Sequence, residues 1–327
     1  MRIFHAFTVI AASCVLVACD KGGGSADGGS TGGQSSGNKL VVGFSQIGAE
    51  SAWRVAETES IRGEAAKRGI DLRFSDAQGK RENQIKALNS FLQQHVDAII
   101  LAPVIESGWG PVLGEIKKAN IPVILVDRGI TVEDPSLYTT LIASDFVQEG
   151  ERAGEWLAKK LNGKGNIVQL EGTTGAAPAI DRAAGFKKVL EKNPGMQIIL
   201  SQSGDFNRTK GKEVMEAFLK ARAKDINAVY AQNDDMALGA IQAIEEAGMK
   251  PGTDIIVVSI DGIKSALEAI AAGKLNCSVE CNPLLGPAAF DVVESVKKGN
   301  KAEHKIVVKD ELFDSSNAAA ALPGRKY

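Results

Sequence analysis

Short runs of β-branched and aliphatic residues recur along this chain and end abruptly at charged or amide side chains. Residues 123–126 (Val-Ile-Leu-Val) run into Asp127 and Arg128, residues 228–231 (Ala-Val-Tyr-Ala) lead to Asn233, Asp234 and Asp235, and residues 255–260 stop at Asp261. An apolar run without polar alternation is a strand covered on both faces, the habit of parallel sheets flanked by helices. Open α/β sheets bind ligands beyond the carboxyl ends of such strands. The pattern therefore predicts sheets whose edges carry carboxylate, amide and guanidinium groups, which suit a small polar ligand.

From Lys39 onward, apolar runs alternate with amphipathic segments, the arrangement of repeated βα units. Strands are predicted over 40–45, 71–75, 98–101, 122–126, 166–170, 197–201, 228–231 and 255–260. Helices between them begin near Ser51, Glu82, Glu106, Phe146, Ile180, Thr209, Asp235 and Lys264. Such a series fits either one closed barrel or two doubly wound lobes. Residues 138–143 form a further strand-like run directly after a strand and loop, with no helix between. That break favours two lobes, with a first crossover near Ser144. A late helix over 283–298 and an apolar strand over 305–309 are left over after a second lobe, as expected if the chain crosses between lobes more than once.

The first 19 residues are of another kind. Arg2 precedes an apolar run from Phe4 to Val17, broken by His5, Thr8 and Ser13 and ending in Leu16, Val17, Ala18 and Cys19. The run is too short to span a bilayer and ends in a small residue, as an export signal does. Leu-Val-Ala-Cys resembles the bacterial lipobox, so residues 1–18 are expected to be removed and Cys19 lipidated; the alternative is an ordinary cleaved signal with a chance cysteine. Asp20 beside the lipid resembles an inner-membrane retention signal, and the leaflet stays open between the periplasmic and cell-surface faces. Residues 22–37 are almost entirely Gly, Ser, Asp and Gln. The linker over 19–38 is predicted to be a coil of about 20 Å root-mean-square length holding a folded body off a membrane.

The net charge of −2, one unit more negative once Arg2 is removed, gives no basis for nucleic-acid binding, which requires clustered cations. Only His95 and His304 remain after the signal, neither near a second His or a Cys at ligand spacing, so no metal is expected. No Gly-rich nucleotide fingerprint, nucleophile elbow or convincing Cys/His pair occurs, and neither a cofactor nor a catalytic residue is expected. What the strand tips offer is Asp127, Arg128, Arg182, Asn233 and Asp261, planar groups suited to vicinal sugar hydroxyls. Trp53 either stacks on a sugar face, with Ser51 and Arg54 as polar contacts, or is a core anchor behind an N-capping Ser51. Phe206 has the same ambiguity, while Trp109 and Trp156 read as packing within amphipathic helices. Asp234 and Asp235 either bind ligand or cap the helix over 236–247, leaving Asn233 as the ligand group. Asp127 and Arg128 either contact ligand or form a structural ion pair.

These residues carry a family resemblance. From about Lys39 to Leu312 the chain resembles type I periplasmic sugar-binding proteins of the ribose and galactose group, the solute receptors of ABC importers. Residues 42–46, 50–54, 180–182, 201–206, 210–216 and 233–235 are similar to the galactofuranose-binding branch. The resemblance implies an α/β fold of two doubly wound parallel-sheet lobes joined by a three-crossover hinge, with 39–144 and 282–309 in one lobe and 145–281 and 310–327 in the other. It implies sugar contacts from Glu50, Ser51, Trp53 and Arg54 on the first lobe, from Asp127 and Arg128, from Arg182 and Phe206 on the second, and from Asn233 and Asp261. Asp145, at the first crossover, matches a further polar contact. Many relatives carry Gln where Cys281 stands, so a hinge-side hydrogen bond is absent here or moved to Glu280.

The expected function is that of a lipid-anchored, monomeric receptor that binds a monosaccharide and hands it to an ABC permease, without catalysis. The alternatives are a sugar sensor for a chemoreceptor or kinase, a repressor core, which lacks its DNA-binding helix pair here, and an enzyme on the same scaffold using Asp127 and Asp261. Cys277 and Cys281, if they lie on one strand over 275–281, stand about 13 Å apart at 3.3 Å per residue, and are expected to be free thiols.

Overall fold

The computed structural model describes residues 39–327; the expectations for the export signal, Cys19 and the linker lie outside the described residues. Two six-stranded sheets form, one per lobe. The first contains β1 (Val41–Gln46), β2 (Asp71–Asp76), β3 (Ala98–Leu101), β4 (Val123–Val126), β5 (Thr140–Ala143) and, from late in the chain, β11 (Lys305–Val307), in the order β11-β5-β4-β3-β1-β2 with all neighbours parallel. Both faces are covered, which is why its strands lack polar alternation. Ile100, Ile124 and Val126 pack toward α1 (Ala52–Lys67) and α9 (Gly286–Lys297). Ile99, Leu101, Val123 and Leu125 pack toward α2 (Arg81–Gln93) and α3 (Gly110–Lys118).

The second sheet holds β6 (Lys164–Glu171), β7 (Gly195–Ser203), β8 (Ala228–Ala231), β9 (Ile256–Asp261), β10 (Cys277–Glu280) and β12 (Leu312–Asp314), in the order β12-β10-β9-β8-β6-β7. Its strands are parallel except β12, which pairs antiparallel with β10. With it go α4 (Phe146–Lys160), α5 (Ala177–Lys192), α6 (Arg208–Arg222), α7 (Asp234–Glu246), α8 (Lys264–Ala271) and α10 (Ala318–Ala321). Helices α4 and α5 approach almost backbone to backbone: a Cβ on Gly150 would stand 2.2 Å from the Arg182 carbonyl oxygen, and one on Gly185 2.0 Å from that of Val147. This contact sets Glu149 opposite Arg182.

The chain passes between the sheets after β5, after β10 and after β11, giving the two-lobed, three-crossover α/β fold of type I periplasmic binding proteins. Three local expectations are corrected. No helix begins near Glu106; α3 starts at Gly110, with Pro111 in its first turn, and Trp109 precedes it, buried, its indole donating to the Ile105 carbonyl at 2.7 Å. The late helix starts at Gly286, after a loop following Pro283. The three-residue antiparallel strand β12 was not foreseen, because so short an edge strand has no periodicity to read.

Candidate functional site

The first lobe's wall is built where α1 begins. Ser51 is the N-cap, its hydroxyl accepting from the Arg54 amide at 3.1 Å, so Glu50, Ser51, Trp53 and Arg54 all sit at the cleft. Arg54 is buried and binds three carboxylates: Glu50 at 3.1 Å, Glu57 at 2.5 Å and Asp127 at 2.6 Å. Asp127 is thus paired foremost with Arg54, not with its neighbour Arg128, whose Nε lies 3.6 Å away. Arg128 instead donates to the Val104 carbonyl at 2.9 Å and approaches Glu50 at 3.7 Å. Burial pushes Arg128 down to about 10, the charge of Arg54 adding to the effect. Burial would raise Glu50, but Arg54 and Arg128 overcome it and hold the carboxyl below its usual range.

The second lobe supplies Arg182, Phe206, Asn233 and Asp261. Arg182 projects from α5, buried, donating from Nε to Glu149 at 2.7 Å and from Nη1 to the Gln232 carbonyl at 2.7 Å; its Nη2 lies 3.6 Å from Asp261. Among the described residues Arg182 is the nearest cation to the Asp261 carboxylate, and burial pushes this carboxyl well above the ordinary aspartate range. Asn233, rather than Asp234 or Asp235, is the N-cap of α7: its Oδ1 accepts from the Met236 amide at 3.0 Å and its Nδ2 donates to the Phe206 carbonyl at 3.1 Å. Asp234 is turned inward to the hydroxyls of Ser259 and Ser278 and the Ile263 amide. Asp235 reaches across the cleft to accept from the Ala52 amide at 2.8 Å.

Three of these residues hold left-handed backbone conformations that side chains other than glycine seldom adopt: Asp127 at φ 61°, Phe206 at φ 59° and Asp261 at φ 126°. Each costs on the order of 1–3 kcal/mol and persists only because neighbours fix it. The Asp127 amide donates to Ile142 (2.9 Å), the Phe206 carbonyl is held by Asn233, and the Asp261 carbonyl accepts from the Cys281 amide (3.2 Å). The Phe206 ring sits directly over Gly172, where a Cβ would stand 1.9 Å from it. Arg128 of one lobe and Arg182 of the other lie 5.3 and 5.9 Å from its centroid.

The lobes are closed on each other. Besides the Asp235 contact, the Glu106 amide donates to the Gly175 carbonyl at 3.0 Å and the Trp53 indole to the Cys281 carbonyl at 2.5 Å. Between them lies a narrow cavity lined by Glu50, Ser51, Trp53, Arg54, Asp127, Arg128, Arg182, Phe206, Asn233 and Asp261, with Pro178 and Cys281 in addition. The sequence-derived residues therefore converge on one place, with one correction. Asp145 is not in the cavity wall; it is the N-cap of α4, its carboxylate accepting from the Gln148 amide at 3.0 Å. Pro178 was missed, because a proline in the first turn marks only where a helix starts. Cys277 and Cys281 are both free and buried, and burial pushes both thiols well above their ordinary pKa. Glu280 does not take over a ligand bond at Cys281: its carboxylate is engaged by Arg325, Tyr327 and the Glu311 amide.

Chemically, the cavity offers carboxylate acceptors and guanidinium forks on both walls with an indole and a phenyl ring between them, a lining that matches a compact, hydroxyl-rich ligand. Among the described residues, no helix is long and apolar enough to cross a membrane, and no group of three or more His, Cys, Asp or Glu is placed to hold a metal ion.

Residues 42–301 match the family model described as periplasmic binding protein domain. The chain is 52% identical over 291 residues to the galactofuranose-binding protein YtfQ of Escherichia coli K12, covering 88% of this chain and 92% of that one. It is also similar to the binding-protein component of the arabinose ABC transporter from Shewanella sp. ANA-3, solved with α- and β-L-arabinofuranose, at 52% identity and a TM-score of 0.86 over 88% of this chain and 96% of that chain. A Mycobacterium smegmatis protein in complex with β-D-fucofuranose matches equally, at 52% identity and a TM-score of 0.86, covering 88% of this chain and 95% of that one.

Proposed function

We propose, from the premise that the chain belongs to the periplasmic binding protein domain family, that it is the solute receptor of an ABC sugar importer and takes a monosaccharide in the furanose form. The observation that carries this reading is the interlobe cleft in which Asp127, Asp261 and three guanidinium groups from opposite lobes converge on one space. The relatives named above bind, respectively, galactofuranose, arabinofuranose and fucofuranose, which directs the choice among sugars to the five-membered ring. In this reading Arg54, Asp127 and Arg128 grip the sugar from one lobe and Arg182, Asn233 and Asp261 from the other, with Glu50 and Ser51 at the rim. Trp53 and Phe206 cover its carbon-bound hydrogens. The lobes, 39–144 with 282–309 and 145–281 with 310–327, open and close about the three crossovers, and the closed form is presented to the permease by a monomer.

Calorimetry of the folded body against galactofuranose, arabinose, ribose and galactose tests the reading. Tight binding of a furanose is expected, with thermal stabilisation equivalent to about 2.7 kcal/mol at a hundredfold excess over the dissociation constant. Absence of heat and of any thermal shift with the whole panel would exclude sugar binding. We further propose that Cys19 carries the lipid that tethers the receptor at the membrane surface. A Cys19→Ala chain is expected to leave the membrane fraction; a variant that stays there as wild type does rules the anchor out.

A further inference from the structure

Glu280 ends β10 and is the register partner of Asp261 on β9. Its carboxylate accepts three hydrogen bonds, from Arg325 Nη1 at 2.6 Å, from the Tyr327 hydroxyl at 2.7 Å and from the Glu311 amide at 2.8 Å. Two of these donors come from the segment after α10, and the third belongs to the crossover after β11. Arg325 also donates through Nε to the carbonyl of Gly262, the residue after Asp261, at 2.5 Å. Gly262 stands at φ 71°, and a Cβ there would meet Arg325 Nη2 at 2.5 Å, so the guanidinium lies flat against the turn that follows Asp261. The rings of Phe313 and Tyr327, 4.7 and 4.2 Å from Arg325, hold it there, and the Lys264 amide donates to the Tyr327 carbonyl at 2.6 Å.

The same small region carries the pivot. The Glu280 amide donates to Glu311 at 2.8 Å, the Cys281 amide to Asp261 at 3.2 Å, and the Asn282 amide to the Asp310 carboxylate at 3.1 Å. Glu280 thus joins two of the three crossovers to the turn that points Asp261 into the cavity. Arg325 and Glu280, both under a tenth exposed, form the buried knot.

We propose that Arg325 and Tyr327 are positioning residues for the sugar site: through Glu280 and Gly262 they fix the aim of Asp261 and the swing of the two crossovers, and so set sugar affinity and the range of lobe opening. This rests on the reading of the cleft as a sugar site. Neither residue lines the cavity, so any effect of theirs on the ligand passes through the hinge.

The test combines calorimetry with the distance between spin labels at Lys118→Cys and Lys220→Cys, exposed positions on α3 and α6 in opposite lobes. Arg325→Ala is expected to weaken furanose binding about tenfold and Tyr327→Phe about threefold, the loss of several hydrogen bonds against one. Both should broaden the label distances of the sugar-free protein toward the open form. Arg325→Lys should not restore wild-type values, because an ammonium lacks the fork that reaches Gly262 and Glu280 together. Wild-type affinity and label distances in both Arg325→Ala and Tyr327→Phe would overturn the proposal. If Arg325→Ala does not fold, Tyr327→Phe decides alone, since it removes a single hydroxyl. If the wild-type chain binds no sugar, the receptor reading fails, and the label distances still decide whether the knot governs opening.

Discussion

An Arg182→Ala variant is expected to lose both sugar binding and several kcal/mol of stability. The sequence offers Arg182 as a group for sugar hydroxyls, and its buried contacts give it a structural role as well. Glu149, buried on α4, has its short ion pair with Arg182 at 2.7 Å, and the Gln232 carbonyl also loses its donor. Removing one member of a buried pair while leaving the other costs about 3–5 kcal/mol. Burial pushes Glu149 up to about 7 even with Arg182 present, so in the variant the carboxyl escapes part of the cost by taking up a proton. A carboxyl whose folded pKa lies above its unfolded value contributes stability at low pH and loses it as pH rises through the folded pKa. The deficit relative to wild type should therefore be smaller near about pH 5 than near about pH 8 in denaturant melts. A variant as stable as wild type at both pH values would show that the pair is not what holds α4 against α5.

How much of this was legible beforehand depended on whether the signal was local. The β-branched runs at 98–101 and 228–231 match their strands residue for residue, because strands buried on both faces allow only apolar side chains. Residues at strand tips, Asp127 and Asp261 among them, were found for the same reason: each is the first polar side chain after a buried run. What the sequence could not show is which partner each group chooses across the fold. Arg54 takes Asp127 from 73 positions away, an arrangement visible only once the start of α1 and the tip of β4 meet at the cleft. Asp145 stands apart from these residues: it does not line the cavity. At the first crossover it precedes a helix and takes the nearest free amide, that of Gln148, a local capping role that its place in the sequence also allowed. The family resemblance pointed to residues that line the cavity; only the packing shows that Arg182 among them also ties α4 to α5.

Asp261→Asn should separate binding from folding in the way Arg182→Ala cannot. Asparagine keeps the shape of aspartate and tolerates positive φ better than most residues, so the turn at φ 126° should survive. The wild-type carboxylate is a source of unfavourable energy in the sugar-free protein: burial raises its pKa, the charges of Asp234, Glu149 and Asp235 raise it further, and Arg182 offsets this only from 3.6 Å. Melting temperature should therefore stay at the wild-type value or rise. Affinity should fall sharply, because a charge-assisted hydrogen bond is replaced by one to a neutral amide. A loss of about 3 kcal/mol corresponds to roughly a hundredfold in dissociation constant. The pH profile gives the sharper test. Sugar hydroxyls donate to the ionised form, so binding by the wild type must displace the proton that the raised pKa retains. Its affinity is complete above that pKa and declines as pH falls through it, starting at less acidic pH than an ordinary aspartate near about 3.9 would give. In Asp261→Asn that decline should vanish. A variant that binds as tightly as wild type, or that keeps the wild-type pH profile at reduced affinity, would place the carboxylate gripping the sugar elsewhere, with Asp127 the next to examine.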